Sequence, residues 1–427
     1  MEKIAIVGIG YVGLPLAVVF SKKYEVIGFD SNREKIEKYQ LGYDVTGEIS
    51  SEDWKDCNIK FTSEEKDLSE ASVYIICVPT PINEDKNPDL TAIRGATKTV
   101  GRFLEYNNLV IYESTVYPGA TEEICVPILE YESNLKCGKD FKIGYSPERI
   151  NPGDKIHTIY QAVKIVSACD EDTLAYVTRL YESVLMTSVY PVSNIRIAEA
   201  VKLIENTQRD INIAFMNEVS FFCKKMGIDM REMINAMNTK WNALHFSPGL
   251  VGGHCIGVDS YYYLYQARRI GCDSSMVSAG RKINEYMSGY VADQIIEKLL
   301  QEGKKLTEAR VLFLGIAFKE NCRDIRNTKV VQIVESLKNA GCHVQVADYM
   351  VDSEEVSARY GIEIVPLDSV KNVDCVILSV PHEKYRDMNV RQYDCLFVNH
   401  ERKIFFDIMH AKDETEMTGN GYVYWTL

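Results

Sequence analysis

A cysteine in a glycine-rich stretch is the residue of this chain best suited to chemistry. Residues 249–259 read GLVGGHCIGVD, so Cys255 follows two glycines closely and Asp259 lies four residues beyond it. A thiolate is strongly nucleophilic even at the small fraction present near neutral pH, and it can trap an aldehyde as a thiohemiacetal. The same residues also fit a glycine-rich loop around a buried structural cysteine, and burial is the commoner fate of a free cysteine. The loop alone leaves both interpretations open.

A lysine and an amide four residues apart form a second chemical pair. Residues 195–226 predict one long helix that ends at Gly227. Lys202 and Asn206 therefore share a helix face, where they can donate hydrogen bonds to an oxyanion or a reacting hydroxyl. On spacing alone, an exposed face with ordinary polar residues is the simpler interpretation.

The N-terminus carries the pattern of a dinucleotide-binding turn. The strand-length run KIAIV leads into GIGYVG and then into an apolar, helix-like stretch, which is the context that the motif requires. Gly8 permits the tight turn, Gly10 lets the backbone approach a pyrophosphate, and Gly13 allows close packing of helix on strand. We expect the diphosphate to lie at the N-terminus of that helix.

An acid at the end of the next strand-like run indicates which cofactor is used. Asp30 follows EVIGF, roughly 20 residues beyond the glycines, where a carboxylate can bind the ribose 2′-hydroxyl and repel a 2′-phosphate. The sequence therefore predicts NAD. Arg33 is the counter-signal, since arginine can hold a 2′-phosphate, but we expect it to lie against the adenosine or in solvent.

Composition restricts the class of protein. A chain of 427 residues can form two or three domains with substantial cores, and its net charge of −13 argues against nucleic acid or an anionic membrane as partner. There is no apolar run of 18 residues and no leader-like segment, so we expect a soluble, cytoplasmic protein. The twelve cysteines and seven histidines are scattered without CxxC or HExxH spacing, so we predict neither a disulfide framework nor a metal site.

Both ends of the chain predict parallel sheets. Short apolar runs that end in turn residues begin at residues 73, 109, 309 and 375, and helical stretches separate them. We predict an α/β protein with two Rossmann-like doubly wound domains joined by a long central helix and helical connector. The expected boundaries are 1–194 for NAD binding, 195–300 for the connector with the cysteine loop and a dimer surface, and 301–427 for the second α/β domain. That domain lacks GxGxxG and should not bind a dinucleotide in the same way.

Five segments in order resemble the UDP-glucose/GDP-mannose dehydrogenase family over essentially the whole chain. They are GIGYVGLP at 8–15, YSPERINPG at 145–153, the helix with Lys202 and Asn206, the Cys255 loop, and GIAFK at 315–319. Residues 151–154, NPGD, and the form GGHCIGVD resemble the UDP-N-acetylhexosamine 6-dehydrogenases of surface-polysaccharide synthesis. UDP-glucose dehydrogenases typically read GGSCFPKD at the cysteine.

The resemblance implies a four-electron oxidation of a sugar C6 hydroxymethyl to a carboxylate, with two NAD molecules used in sequence. Cys255 would capture the intermediate aldehyde and carry the thioester. Lys202 and Asn206 would stabilise charge on the C6 oxygen, and Asp259 with Thr115 would position water and move protons.

Further roles follow from the same resemblance. Glu148 would serve thioester hydrolysis, although it could equally be a structural acid paired with Arg149. Lys319 would reach the sugar or diphosphate of a UDP-sugar. Apart from the resemblance, the paired α/β ends and the long helix at 195–226 suggest a homodimer formed largely through the connector. The implied cofactor contacts, besides the glycines, Asp30 and Arg33, are Tyr11, Val12, Thr80, Pro81 and Thr115, and the implied substrate contacts are Glu148, Arg149, Lys202, Asn206, Gly252 and Lys319.

Aromatic residues and two departures from the family pattern complete the site hypotheses. Tyr261 and Phe246 are possible walls for uracil or sugar, although such residues more often serve packing. Ser247 stands where the family has an arginine that binds substrate from the neighbouring subunit, which puts that contact in doubt. Ser260 stands in place of a proline, and we expect it to alter only loop rigidity.

Three hypotheses remain. The first is a UDP-N-acetylhexosamine 6-dehydrogenase, with glucosamine and galactosamine epimers undecided and UDP-glucose or another nucleotide sugar as an alternative substrate. The second is a two-electron hydroxyacid dehydrogenase, which explains neither Cys255 nor the second α/β domain. The third is a nucleotide-binding regulatory protein on a decayed scaffold, which predicts damaged catalytic positions.

Overall fold

The chain, seen here in a computed structural model, is described for residues 2–398, apart from 48, 50, 56, 150–158 and 160, and for residues 402–427. It forms two compact units, Met1–Asn206 with Tyr261–Asp273, and Thr207–Ser260 with Ser274–Leu427. The three-part division at residues 194 and 300 stays a prediction.

An eight-stranded sheet is the centre of the first unit. Its strands are β1 (Lys3–Val7), β2 (Glu25–Phe29), β3 (Ile59–Thr62), β4 (Val73–Ile76), β5 (Leu109–Tyr112), β6 (Lys142–Tyr145), β7 (Lys164–Ala168) and β8 (Val189–Pro191). The order is β3-β2-β1-β4-β5-β6-β7-β8, and every neighbouring pair is parallel except β6 and β7. This order reverses between β1 and β4, which is the switch point where doubly wound sheets bind nucleotides.

Helices that pack on this sheet owe their limits to local sequence. They are α1 (Gly13–Ser21), α2 (Arg33–Gln40), α3 (Ser51–Lys55), α4 (Thr91–Gly101), α5 (Val126–Ser133) and α6 (Glu171–Glu182), with a 3₁₀ turn at Glu65–Glu70 and a π turn at Thr121–Cys125. Asn32 and Asp170 begin α2 and α6 by accepting hydrogen bonds from backbone N–H groups of the first turn. Phe20 of α1 and Ile6 of β1 belong to the buried core between these layers.

Four helices follow in the chain: α7 (Ile195–Met226), α8 (Met230–Asn238), α9 (Ile256–Arg269) and α10 (Ser275–Gln301). The prediction of one helix from 195 to 226 is confirmed, and Gly227 ends it with φ +66°. The division between the two units falls within α7 and α9. Among the described residues, no helix combines the length and the apolar character needed to cross a membrane.

The second unit holds a five-stranded sheet in the order β10-β9-β11-β12-β13, with all neighbours parallel. The elements are β9 (Arg310–Leu314), α11 (Val330–Asn339), β10 (His343–Ala347), α12 (Ser353–Tyr360), β11 (Cys375–Leu378), α13 (Glu383–Arg386), α14 (Val390–Asp394), β12 (Lys403–Asp407), α15 (Glu414–Gly419) and β13 (Tyr422–Thr426), with a 3₁₀ turn at Leu367–Ser369. Gly315 after β9 has φ +96°, the same value as Gly8 after β1. The prediction of a second parallel α/β sheet is confirmed.

Candidate active site

The turn between β1 and α1 has the geometry of a dinucleotide cradle. Gly8 has φ +96°, and a Cβ on Gly13 would lie 2.0 Å from the Gly8 carbonyl oxygen, so neither position accepts a side chain. A Cβ on Gly10, by contrast, would meet nothing within 4 Å. The space above Gly10 is open, as the approach of a pyrophosphate requires.

Asp30 stands directly beside this turn. Its Oδ2 accepts a hydrogen bond from the Ile9 N–H at 3.1 Å, and its Oδ1 accepts one from the Asn32 N–H at 3.0 Å. The ammonium of Lys35 also lies 2.6 Å from Oδ2. The carboxylate therefore fixes the turn at the end of β2, the position expected for a ribose contact. The sequence interpretation had not recognised Lys35.

The remaining residues around the turn are more open. Tyr11 and Val12 are partly exposed at the N-terminal end of α1. Arg33 is exposed and forms an ion pair with Glu64 at 3.2 Å. These residues fit a dinucleotide on the open side of the turn.

The segment after β4 is held by a tyrosine of the same unit. The hydroxyl of Tyr262 donates to the carbonyl oxygens of Thr80 at 3.0 Å and Pro81 at 3.2 Å. Thr115, which follows β5, is partly exposed. Tyr261 is buried, and its hydroxyl accepts a hydrogen bond from Lys86 at 2.9 Å, so it has a packing partner within its own unit.

One face of α7 presents buried polar groups. Lys202 and Asn206 are both buried, which makes the exposed-face interpretation wrong. Glu199, one turn earlier on that face, accepts hydrogen bonds from the Gly119 N–H at 2.5 Å and the Thr121 N–H at 2.9 Å. Burial raises the pKa of Glu199 to about 7, although the hydrogen bonds from residues 119 and 121 oppose this.

Glu148 belongs to a buried charge cluster. Its Oε2 lies 3.4 Å from the ammonium of Lys164, whose other partner is Glu113 at 2.5 Å. The Glu148 Oε1 accepts the Arg149 N–H at 2.7 Å, while the Arg149 guanidinium pairs with Glu205 at 2.6 Å. Lys164 is thus the buried cation next to Glu148, whereas the Arg149 guanidinium pairs with a different carboxylate, that of Glu205.

In the second unit, Cys255 lies at the start of α9. Its carbonyl oxygen accepts the N–H groups of Val258 at 3.0 Å and Asp259 at 2.9 Å, and its side chain is partly exposed. A Cβ on Gly252 would lie 2.9 Å from the Asn327 carbonyl oxygen. Glycine therefore lets this loop pack against residues 327–329. Asp259 is buried in the first turn of α9.

The turn after β9 repeats the arrangement of the first unit. Asp348, which follows β10, accepts hydrogen bonds from the N–H groups of Ile316 at 2.7 Å and Ala317 at 3.2 Å, and His382 lies 3.1 Å from the same oxygen. Lys319 extends from this turn and is partly exposed, with its ammonium 5.8 Å from the centre of the Phe318 ring. The position is open to a ligand of the second unit.

The two residues that depart from the family pattern, Ser247 and Ser260, have different surroundings. Ser247 is exposed in the loop before Pro248. Ser260, however, lies inside α9, is fully buried, and donates a hydrogen bond to Asp210 at 2.7 Å. The expectation that Ser260 alters only loop rigidity is wrong, because its hydroxyl satisfies a carboxylate that is also bound by Arg281 at 2.7 Å.

The predicted residues divide between the units. The first unit contains the glycine turn, Asp30, Thr80, Pro81, Thr115, Glu148, Arg149, Lys202 and Asn206, and the second contains Phe246, Gly252, Cys255, Asp259 and Lys319. Phe246 lines a groove in the second unit. The NPGD segment at 151–154 lies outside the described residues.

Comparison with known proteins matches three segments of the chain in order. Residues 2–185 match the NAD binding domain, residues 196–286 the central domain, and residues 312–414 the UDP binding domain of the UDP-glucose/GDP-mannose dehydrogenase family. The chain belongs to this family. The cofactor is NAD, as the sequence predicted.

Individual relatives of the family cover nearly the full chain. The protein CapL of Staphylococcus aureus is 48% identical over 392 residues, which is 92% of each chain. A UDP-N-acetyl-D-glucosamine 6-dehydrogenase of Pseudomonas aeruginosa is 44% identical over 96% of this chain and 97% of its own. The solved UDP-D-ManNAc dehydrogenase of Pyrococcus horikoshii matches with a TM-score of 0.89 at 30% identity, covering 100% of this chain and 99% of the other.

Several polar contacts within each of the two units escaped sequence reasoning. Lys164 and Glu113 approach Glu148 from β7 and from the residue after β5, and Asp210 reaches Ser260 from α7. Their separations in sequence are long, and each lies in an ordinary strand or helix pattern. The one available signal was the presence of a charged residue inside an otherwise apolar strand run, as with Lys164.

Proposed function

We propose that the protein oxidises the C6 hydroxymethyl of a UDP-N-acetylhexosamine to the carboxylate in an NAD-dependent, four-electron reaction. The observation that carries this proposal is the near full-length similarity to a UDP-N-acetyl-D-glucosamine 6-dehydrogenase at 44% identity. The presence in this chain of the thiol, the lysine, the amide and the acids that the chemistry needs supports it. A decayed scaffold would have lost some of them.

Residues of the first unit would hold the cofactor and stabilise charge. Gly8, Gly10, Gly13 and Asp30 would hold NAD, which would supply the hydride acceptor when bound. The buried ammonium of Lys202 and the amide of Asn206 would donate hydrogen bonds to the C6 oxygen as it gains negative charge, and their burial strengthens this interaction. Glu148 would direct water at the thioester, held in place by Lys164.

Residues of the second unit would carry the covalent chemistry. The Cys255 sulfur would add to the C6 aldehyde, so the aldehyde would stay bound, and a thioester would form on loss of the second hydride. Asp259, with Thr115, would move protons to and from the reacting oxygens. Lys319 would bind the sugar or diphosphate, since an ammonium at a partly exposed turn suits an anionic ligand.

Reaction stoichiometry tests this function. Purified protein is incubated with limiting UDP-N-acetylglucosamine and excess NAD, and NADH and sugar acid are counted together. Two NADH per sugar, with a uronic acid product, is the expected result. One NADH per sugar indicates a two-electron dehydrogenase, and none with any UDP-sugar indicates a regulatory protein, so either result contradicts the proposal.

A panel of substrates tests the sugar class. We expect UDP-N-acetylglucosamine or UDP-N-acetylgalactosamine to exceed UDP-glucose by at least about tenfold in kcat/KM, because a site built around the acetamido group leaves polar groups unpaired with the analogue that lacks it. UDP-N-acetylmannosamine belongs in the panel because the Pyrococcus horikoshii structure bears that name. Preference for UDP-glucose would contradict the acetylated substrate.

We also propose a cytoplasmic homodimer. Its support is a groove of about 450 Å³ lined by residues of α7, α8 and the following loop. In that loop Leu244, which lines the groove, is 71% exposed, and Trp241 is 92% exposed. Large exposed apolar groups of this kind are typical of subunit interfaces. All twelve cysteines are free thiols, in keeping with a reducing compartment. Light scattering at micromolar concentration should give twice the 48.5 kDa chain mass, and a Trp241→Glu variant should shift toward the chain mass.

A further inference from the structure

A buried asparagine of α7 holds the start of the segment that carries Cys255. The side chain of Asn217 donates from Nδ2 to the Gly249 carbonyl oxygen at 3.1 Å, and its Oδ1 accepts the Gly249 N–H at 2.8 Å. Both polar groups of one side chain thus bind both backbone groups of one residue, and both residues are buried. This pair of hydrogen bonds fixes the first residue of what we call the cysteine segment, residues 249–260.

The last residue of the cysteine segment is fixed from the same helix. The fully buried Ser260 hydroxyl donates to Oδ2 of Asp210 at 2.7 Å. The other oxygen of that carboxylate accepts hydrogen bonds from the Arg281 guanidinium and from the side chain of Asn284, both at 2.7 Å. The carboxylate therefore has a cation as partner on one oxygen, and it directs the other oxygen to Ser260.

A residue of α10 joins these two anchors. Nδ2 of Asn284 also donates to the Asp210 carbonyl oxygen at 2.9 Å, and its Oδ1 accepts a hydrogen bond from Nδ2 of Asn217 at 2.8 Å. Hydrogen bonds thus connect the two ends of the cysteine segment, in the order Gly249, Asn217, Asn284, Asp210 and Ser260. We call this series the buried chain. The three side chains in its middle have no exposed surface.

A third anchor holds the cysteine segment between its ends. Gly253 donates its N–H to the Asn327 carbonyl oxygen at 3.4 Å, and its own carbonyl oxygen accepts from the Asn327 side chain at 3.2 Å. Cys255 follows two residues later, and Asp259 directly precedes Ser260. Both groups to which we assign chemistry therefore lie between an anchored glycine and an anchored serine.

A buried polar network of this kind specifies an arrangement more than it adds stability. Buried amides and carboxylates cost free energy unless each is hydrogen-bonded, and apolar side chains of similar volume often stabilise a core equally well. A fully hydrogen-bonded network makes one arrangement more favourable than its neighbours. Precise placement matters for a nucleophile, because a displacement of about 1 Å can cost roughly 100-fold in rate.

We propose that the side chains of the buried chain are positioning residues, which hold the cysteine segment so that the Cys255 sulfur captures the C6 aldehyde before the aldehyde is released. This inference rests on the proposed function and deepens it, because it assigns the groups that keep capture faster than loss of the intermediate. The positioning residues act through the backbone of the segment and need no contact with the sugar.

The electron balance of the reaction makes a loss of positioning measurable. Each oxidation at C6 transfers one hydride to one NAD and releases one proton. The first gives the aldehyde. The second, from the adduct of the Cys255 sulfur with that aldehyde, gives the thioester, which water cleaves to the acid and the thiol. An aldehyde that escapes has reduced only one NAD, so NADH equals twice the acid plus the released aldehyde. A protein that is merely less stable makes less product at an unchanged ratio of two.

Release of aldehyde by Ser260→Ala tests the proposal. The full-length protein is incubated with UDP-N-acetylglucosamine and NAD and removed by ultrafiltration. Borodeuteride then converts released aldehyde into UDP-sugar with one deuterium at C6, which mass spectrometry counts beside NADH and acid. We expect two NADH per acid and no deuterated sugar from the wild type. Ser260→Ala should release at least about one aldehyde for every ten acids formed, because slower capture competes with escape.

Two control variants separate positioning from packing. Ser260→Thr keeps a hydroxyl that can bind Asp210, and it should restore the ratio of two. Ser220→Ala removes another buried hydroxyl of α7, whose partner is the Asn217 carbonyl oxygen at 2.7 Å, and it should match the wild type. Two NADH per acid from Ser260→Ala, with no released aldehyde, would overturn the proposal.

A variant in the middle of the buried chain tests action at a distance. Among the hydrogen bonds of the described residues, Asn284 is linked to the cysteine segment through Asn217 and Asp210. Asn284→Ala should nevertheless release aldehyde, at least as much as Ser260→Ala does. Unfolding in urea shows whether the variant is folded under the assay conditions. A folded Asn284→Ala protein that keeps the ratio of two would contradict the role of the chain.

Hydrogen exchange measures the anchoring without substrate or NAD. We expect amides of the cysteine segment to exchange about tenfold faster or more in Ser260→Ala and Asn284→Ala than in the wild type and Ser220→Ala, because buried hydrogen bonds that hold the segment are lost. Peptides that cover β9 and β11 should exchange as in the wild type. Unchanged exchange of the segment in both variants would overturn the proposal.

These measurements separate the proposal from the proposed function. A wild type that makes two NADH per sugar, with variants that neither release aldehyde nor exchange faster, retains the function and loses the role of the buried chain. A wild type that oxidises no UDP-sugar contradicts the function, and faster exchange in the variants then still supports the anchoring of the cysteine segment.

Discussion

The ammonium of Lys164 lies 3.4 Å from a carboxylate oxygen of Glu148, and both side chains are buried. Glu113 meets the same ammonium at 2.5 Å and also accepts a hydrogen bond from the Tyr181 hydroxyl. Burial would lower the pKa of Lys164, but the two carboxylates outweigh burial and raise it. One cation thus holds two acids in place, and Glu148 is the acid for which we propose a role in hydrolysis.

Replacing that cation should make stability depend on pH. Lys164→Met leaves two buried acids without compensation, which we expect to cost about 3–5 kcal/mol in the free energy of unfolding near pH 8. Burial already raises the pKa of Glu113, and loss of Lys164 raises it further. An acid with a raised folded pKa favours the folded state at low pH, and this advantage is lost as pH rises through that pKa. The deficit should therefore be smaller at pH 5.5 than at pH 8.

Urea unfolding of the wild type and the variant at both pH values checks this prediction. Lys60→Met removes surface ion pairs with Glu70 and Asp67 in the same unit, and it should cost no more than about 1 kcal/mol at either pH. A deficit for Lys164→Met that is the same at pH 5.5 and pH 8 would contradict the role of the buried acids.

Cofactor choice should depend on the balance between Asp30 and Lys35. Wild type should prefer NAD over NADP by about tenfold or more in kcat/KM, because Asp30 opposes a 2′-phosphate. Asp30→Ala should shift the ratio toward NADP, since the Lys35 ammonium, 2.6 Å from the carboxylate in the wild type, then has no acid beside it at this position. The double variant Asp30→Ala/Lys35→Met should lose that gain. Equal use of both cofactors by the wild type would remove the assignment of Asp30.

Glu199 should make the first unit less stable as pH rises through neutrality. Its folded pKa, raised by burial to about 7, lies above its unfolded value, so its contribution to stability is full below the unfolded pKa and is lost as pH rises through about 7. We expect this group to remove about 1 kcal/mol of unfolding free energy between pH 6 and pH 8. Thermal or urea unfolding of Glu199→Gln should show a flatter profile over that range, and parallel profiles would refute the assignment.

Local patterns were sufficient for the fold and for the cofactor turn. The positions of Gly8, Gly13 and Asp30 are consequences of one strand, one turn and one helix, and in the structure Gly8 and Gly13 pack closely at that turn while Asp30 accepts a hydrogen bond from it. The helix from residue 195 to residue 226 was equally predictable, because a continuous periodic pattern ends at a glycine. Such features depend on neighbours in the sequence.

Long-range contacts were not accessible in this way. Ser260 appeared to be a substitution in a loop, yet it binds Asp210, which is 50 residues earlier. On spacing alone an exposed helix face was the simpler interpretation for Lys202, yet it is buried. Burial of a polar side chain depends on which elements pack over it, and no spacing rule encodes that choice. For the same reason the sequence did not predict the contacts of Lys164, whose partners come from two other segments.

The covalent step gives the largest expected effect of a single substitution. Cys255→Ser keeps the size of the side chain and its hydrogen-bonding capacity, but a hydroxyl is a far weaker nucleophile than a thiolate at neutral pH. Thioester formation should fail, and turnover to the uronic acid should fall by about 1000-fold or more, equivalent to about 4 kcal/mol in the barrier. NAD binding, measured by calorimetry, should persist because the cradle belongs to the first unit. Aldehyde supplied directly should not restore full oxidation, since the second oxidation requires the thiol adduct. Near-normal conversion of UDP-sugar to uronic acid by Cys255→Ser would rule out the covalent mechanism, and loss of NAD binding would show that the substitution acts on folding instead.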